Sequence, residues 1–389
     1  MNAERALSRF QAPDELGAQE RAWGVVRAAH QQRAPRRALG RALRRPLGVG
    51  LTSLAAAGLV ALSPAGATVG RLVDRALGVH DAASAMVPLP TGGRLLVSGS
   101  SGTWIVSADG SARRIGPWQG ASWSPHGLYL AVAAHGRLTA ISTRGILQWQ
   151  LHEPAVSDPR WYPPSGYRVA YLSRGELRLV AGNGTGDRVL ATGVARVAPA
   201  WRPAHPYQLA YVTVGGRLVV RDGASGAKLW SADPHARIVQ LGWSADGRRL
   251  LAGSSAALFL YTAAGRLVAR LAPGGGAIGA AALSPNGRDV ALVTRGRGGG
   301  VTVYTGTGHD LVGRRVLAGP GLGQVVFSPD GRWLLASWPA ANQWVFVHVS
   351  GRPQIAAVSR IAEQFSTRLP GGPFPRVDGW CCSAPGPSR

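Results

Sequence analysis

The 389-residue chain holds two cysteines, two methionines and one lysine, Lys228, and only 19 of its residues are acidic. Cys381 and Cys382 are adjacent, so no disulfide framework can close long loops, and no CxxC or spaced Cys/His set exists for zinc. HExxH, G-x-S-x-G and P-loop patterns are all missing, which removes the metal, nucleophile and phosphate-cradling chemistry they serve. Carboxylates are few, and no pair stands poised for glycoside hydrolysis. The nine histidines are dispersed; His126 and His205 fall in equivalent turns and read as a solvated rim rather than metal ligands. Neither a metal nor a cofactor is expected, and no catalytic residue stands out.

What is present is Gly 54, Pro 27 and 46% hydrophobic residues against 16% charged ones. That mixture suits many short strands joined by tight turns, with enough apolar surface for a large core. The formal net charge is +24, almost all from arginine. Those arginines are scattered through turns (Arg137, Arg144, Arg217, Arg266, Arg288, Arg332) and form no basic helix or stripe. Nucleic acid is therefore not expected as a partner, because affinity for it needs several phosphate contacts on one face.

Residues 46–70 form a stretch of 25 without a charge, PLGVGLTSLAAAGLVALSPAGATVG. About 20 such residues suffice for a helix to cross a bilayer. Ten arginines lie in residues 1–45 and two in 71–90, so the positive-inside bias keeps the N-terminus cytoplasmic and sends the rest across. Membrane lipid is thus the expected partner of 46–70. A cleaved signal peptide is the rival, since Ala65-Gly66-Ala67 resembles an A-x-A site, but the preceding 1–45 segment far exceeds a normal n-region. The 66-GATVG-70 run also fits the GxxxG pattern of helix dimers. In the arm, residues 14–32 read as an amphipathic helix, with Leu16, Trp23, Val26 and His30 opposite Arg21 and Arg27. Two roles are open to it: resting on anionic lipid, or docking a cytoplasmic regulator such as a sigma factor.

A phrase recurs through the remainder: a large apolar residue, a small or polar one, Pro, one or two variable residues, Gly, then an apolar strand. It appears as 123-WSPHGLYLAV-132, 161-WYPPSGYRVAY-171, 201-WRPAHPYQLAY-211, 243-WSADGRRLLA-252, 283-LSPNGRDVAL-292 and 327-FSPDGRWLLA-336, at intervals of 38 to 44 residues. That interval is the period of a four-stranded propeller blade. The structural positions are Trp123, Pro125, Gly127; Trp161, Pro163, Gly166; Trp201, Pro203; Trp243, Gly247; Pro285, Gly287; and Phe327, Pro329, Gly331. Proline fixes φ in the turn and glycine supplies a positive φ. Three strand-like stretches, 94–99, 103–110 and 112–116, precede the first phrase, and one, 377-VDGWCCSA-384 with Trp380 in the aromatic slot, follows the sixth unit. Three strands from one end and one from the other make a seventh blade that latches the ring.

These phrases resemble the WD40-like repeat of TolB-type propellers, whose consensus runs W-S-P-D-G-x-x-[ILV]-A. The likeness covers about residues 91–383, and 327-FSPDGRWLLA-336 is the best copy. Pro206 in place of the turn glycine and Ala245 in place of proline depart from it and put those two turns in question. The family implies architecture and not activity, since it hosts binding, assembly and hydrolase-associated modules alike. The box S-x-D-x-G-x-x-W of sialidase propellers is not matched by 328-SPDGRW-333. The 219-VVRDGASGAKLW-230 stretch resembles the repeat of quinone-dependent dehydrogenase propellers, some of which also carry adjacent cysteines; the plain alternative for Cys381 and Cys382 is small buried strand residues.

The expectation is an all-β fold, a seven-bladed β-propeller with its last blade shared by both termini, preceded by one transmembrane helix and a short cytoplasmic helix. The divisions are a cytoplasmic arm 1–45, span 46–70, linker 71–90, propeller 91–383 and tail 384–389. The expected function is a membrane-anchored, extracytoplasmic scaffold that binds a protein or envelope ligand and signals to its arm. The alternative is an extracytoplasmic enzyme, quinone-dependent or hydrolytic, using the central channel. Trp338 and Trp344 lie outside the phrase, and either form an interaction surface or pack between blades.

Overall fold

In each repeat the strand after the phrase is a short unbroken apolar run, as in Leu130-Ala131-Val132, Leu250-Leu251-Ala252 and Leu334-Leu335-Ala336. An unbroken run, rather than an alternating one, marks a strand covered on both faces. The computed structural model bears this out, with all nine of these residues buried. It describes residues 86–382 apart from residues 119, 164, 204–206, 275, 297, 307–309, 352–353 and 367–372. The arm, the span 46–70, most of the linker and the tail 384–389 lie outside the described residues. Among the described residues no helix is long and apolar enough to cross a membrane.

The described strands, from Arg94 to Cys381, form seven four-stranded antiparallel sheets. Blades 2 to 7 follow the chain, starting from the inner strands Ala121–Trp123, Ser157–Trp161, Ala200–Trp201, Gln240–Trp243, Ile278–Leu283 and Val325–Phe327. Blade 1 is composite: its inner strand, Arg376–Cys381, comes from the C-terminal end and pairs with Arg94–Gly99. In that register Leu95 faces Trp380 and Val97 faces Val377. Each inner strand touches the next one around the axis, so the ring is closed.

The core lies between blades. Seven apolar clusters occur among the described residues, each drawn from neighbouring blades. At the closure, Leu335, Trp344, Phe346 and Phe365 of blade 7 and its following segment meet Leu95, Val97, Val377 and Trp380 of blade 1. Indole N–H groups add directional ties: Trp201 donates to the Arg160 carbonyl at 2.9 Å and Trp243 to that of Ala200 at 3.1 Å, each reaching back one blade. Trp338 and Trp344 are both buried within such clusters. The interaction surface considered for them is therefore corrected: apolar neighbours on both sides of the blade take up their rings, leaving nothing to present to a partner.

The phrase turn is held by a residue whose role the sequence pattern leaves open, the serine after the aromatic position. In blades 2, 5, 6 and 7 the hydroxyl of Ser124, Ser244, Ser284 or Ser328 is buried and accepts the N–H five residues on, at 2.9 to 3.0 Å. The N–H of Gly127, Gly247, Gly287 or Gly331 closes the turn on that serine's carbonyl at 2.9 Å. These glycines have φ between 63° and 71°, where a side chain is strained. The Ala245 substitution leaves the turn geometry intact. In blade 4, Tyr207 takes the positive φ, at 51°, and Pro206 lies outside the described residues. In blade 7 the hydroxyl of Ser328 donates to Asp330, which also accepts from Thr91 and from the Arg332 N–H. Burial pushes the Asp330 carboxyl up, but these bonds outweigh it and hold the group below its ordinary value.

Candidate functional site

Antiparallel order sends the phrase turns and the turns between third and fourth strands to one face of the ring, here the turn face. Backbone bonds such as Thr143 N–H to Leu128 O and Val349 N–H to Arg332 O tie the two kinds of turn together. The connections between blades emerge on the opposite, crossover face. This sorts arginines that look scattered in the sequence: Arg144, Arg266, Arg288 and Arg332 share the turn face, whereas Arg137 and Arg217 lie on the crossover face. Thr91, bound to Asp330, and Cys382, beside Pro125, place both ends of the described chain on the turn face.

Trp161, Trp201, Trp243, Phe327 and Trp380, with Pro163, Pro203, Pro285 and Pro329, line an axial funnel of about 650 Å³ on the turn face. Trp123 stands outside it, half-buried, with Arg94 stacked 4.9 Å from its ring centroid. These are positions that build and close the ring. His126 is exposed, as a rim residue should be; His205 lies outside the described residues.

A second cavity, about 410 Å³, opens between blades 2 and 3 on the same face. Trp161 and Pro125 line it together with Leu128, Tyr129 and Tyr167. Tyr167 is 70% exposed, Leu128 59% and Tyr129 40%. The repeat makes these residues informative. The position after the turn glycine is Arg248, Arg288 and Arg332 in blades 5, 6 and 7, but Leu128 and Tyr167 in blades 2 and 3. Packing does not require apolar residues there, since arginine serves three other blades. Comparing the copies position by position would have found this groove; reading the consensus conceals it.

On the crossover face the channel mouth encloses about 570 Å³ and receives residues from all seven inner strands or their approaches. Much of its wall is small, including Gly120, Ala121, Ala198, Gly279 and Ala280, with Asp158, Arg160, Arg376 and Asp378 as its charged groups. Among the described residues no group of three or more His, Cys, Asp or Glu could hold a metal. The run resembling quinone-enzyme repeats serves local structure: Asp222 accepts the N–H groups of Ala224 and Ser225 in a turn, and Trp230 donates to the Ala263 carbonyl of the next blade. Cys381 and Cys382 are half-buried and joined to each other by a disulfide at the end of the closing strand.

No family model matches the chain, and no curated protein matches it. Among solved structures it is similar to KlHsv2 with loop 6CD replaced by a Gly-Ser linker, at TM-score 0.53 and 13% identity over 71% of this chain and 99% of that one. It is also similar to a chain of the Mitotic Checkpoint Complex, at TM-score 0.50 and 15% identity over 66% and 90%. The Cps50 (Swd1) β-propeller domain of Myceliophteria thermophila aligns at TM-score 0.48 and 14% identity over 63% and 87%. Likeness at such identities concerns fold alone, and the fold is a WD40-like seven-bladed propeller.

Proposed function

We propose that this chain is a membrane-anchored, extracytoplasmic scaffold whose propeller captures a protein partner in the groove between blades 2 and 3. The carrying observation is that Leu128 and Tyr167 stand where blades 5, 6 and 7 carry arginine, and that with Tyr129 they expose three large apolar side chains around one cavity; blade 4 has Tyr207 at the same position, half-buried. Exposed aromatic and aliphatic groups around a concave site are the usual anchors of protein recognition. The turn face exposes Arg144, Arg248, Arg266, Arg288 and Arg332 against Asp109, Asp310 and Asp330. Charge complementarity therefore favours a partner segment that presents an apolar side chain among acidic residues. Anchoring and orientation rest on the uncharged span 46–70 and the arginine excess before it. The amphipathic pattern at 14–32 supports passage of occupancy to a cytoplasmic regulator.

The test is crosslinking and capture from native membranes with the full-length chain and its Leu128→Asp/Tyr167→Asp variant. Recovery of the partner should fall about tenfold or more, because a buried anchor is worth about 2 kcal/mol or more. The melting temperature should stay nearly unchanged, since both side chains are exposed. Equal recovery by the two proteins would reject the groove as the docking site.

A further inference from the structure

The crossover-face channel mouth carries a second, independent feature in strands whose pairing is broken. Opposite Tyr171, the inner strand of blade 3 places two residues, Asp158 and Pro159, between the pairs Ser157–Leu172 and Arg160–Ala170. The inner strand of blade 1 likewise inserts Asp378 between the pairs Val377–Val97 and Gly379–Leu96. Bulges of this kind re-aim side chains and gather beside functional sites. Asp158 also has φ of 52°, a left-handed conformation that costs a non-glycine residue energy and persists only where its surroundings enforce it.

The four charged groups differ in how they are satisfied. Arg376 donates to Asp378 at 2.7 Å, and the Ser98 hydroxyl donates to the other oxygen of that carboxylate at 2.5 Å, so this pair is complete in itself. Arg160 is different. It lines both the mouth and the funnel beyond, and among the described residues its guanidinium donates only to the carbonyl of its neighbour Pro159, at 2.9 Å. Among the described residues no carboxylate lies within 4.0 Å of it. Burial pushes its pKa below the ordinary value, opposed by Asp158 and Asp378. Asp158 faces the same chamber and has no hydrogen-bond partner among the described residues. A cation and an anion thus line one cavity of about 570 Å³ without closing on each other. Charges drawn out of bulk water in this way are costly unless a complementary group meets them.

We propose that the channel mouth binds a small zwitterion, an α-amino acid or short peptide, with its carboxylate on Arg160 and its ammonium on Asp158. The planar guanidinium matches a carboxylate through two parallel N–H bonds. A simple anion would engage Arg160 but face the Asp158 carboxylate, and a simple cation would meet the reverse conflict. The site is separate from the groove on the other face and does not depend on it.

The experiment uses the purified full-length chain, titrated calorimetrically with each of the twenty standard L-amino acids and with glycylglycine. At least one should bind, and its N-acetyl and carboxamide forms should each bind about tenfold or more weakly, since each lacks one charged contact. Arg160→Gln and Asp158→Asn should weaken binding by a similar factor, while Leu128→Asp/Tyr167→Asp should leave it unchanged. The capped-ligand comparison uses unaltered protein, so it stands even if Arg160→Gln does not fold. No binding up to about 10 mM, or equal binding of acetate or of either capped form, would overturn the assignment.

Discussion

Deleting residues 376–389 is expected to abolish cooperative folding, not merely to lower the melting temperature. The deletion removes the strand Arg376–Cys381, which completes blade 1 and supplies the buried Val377 and Trp380 to the closure cluster. Losing the Trp380 side chain alone costs about 3–5 kcal/mol, a large part of the about 5–15 kcal/mol that holds a domain together. The full deletion also bares Leu95 and Val97, fully buried in the intact ring, and leaves the backbone of Arg94–Gly99 as an open sheet edge. Neighbouring blades share their apolar surface, so an opening at one interface weakens both flanks. Urea unfolding followed by circular dichroism should show one sharp transition for the intact chain and a broad or absent one for the deletion. An unchanged midpoint would mean that the ring is closed by something other than this strand.

Trp344→Ala should destabilise the protein by about 3–5 kcal/mol. The indole is completely buried, lies 5.1 Å from the Phe365 ring, and belongs to the same closure cluster as Trp380. Its ring N–H has no hydrogen-bond partner in that cluster, so its contribution is packing alone. Trp344→Phe should therefore recover much of the loss, with no polar group left stranded by the exchange. Tyr167→Ala, at an aromatic residue 70% exposed, should change stability by less than about 0.5 kcal/mol. Equilibrium denaturation of the three variants separates an aromatic that builds the ring from one that faces solvent. A Trp344→Ala protein as stable as the parent would contradict its placement in the core.

The contrast between these two aromatics shows where the sequence is readable. The repeat interval, the blade count and the pairing of the Trp380 strand with the strand at Leu95 follow from periodicity and from counting strands at the two ends. Ring closure demands them, and local residue types advertise them. Trp344 is harder to place because a blade is buried on both faces, so the alternation that separates inside from outside in an ordinary sheet is missing. The phrase serine is visible but silent, since a hydroxyl that caps a turn and one that faces water look alike in sequence. The bulges at Asp158 and Asp378 arise from mismatched pairing between strands, which no single strand reveals. Arginines spread along the chain become neighbours on a face only because the ring brings every second kind of turn to the same side.

Amide hydrogen exchange on the full-length chain tests closure most directly. Residues 94–99 and 376–381 pair with each other in register although they lie at opposite ends of the propeller sequence. Their amides should be protected together and lose protection at the same urea concentration, as one cooperative unit. Rapid exchange through 376–381 while 94–99 stays protected would show that the C-terminal strand does not complete the ring.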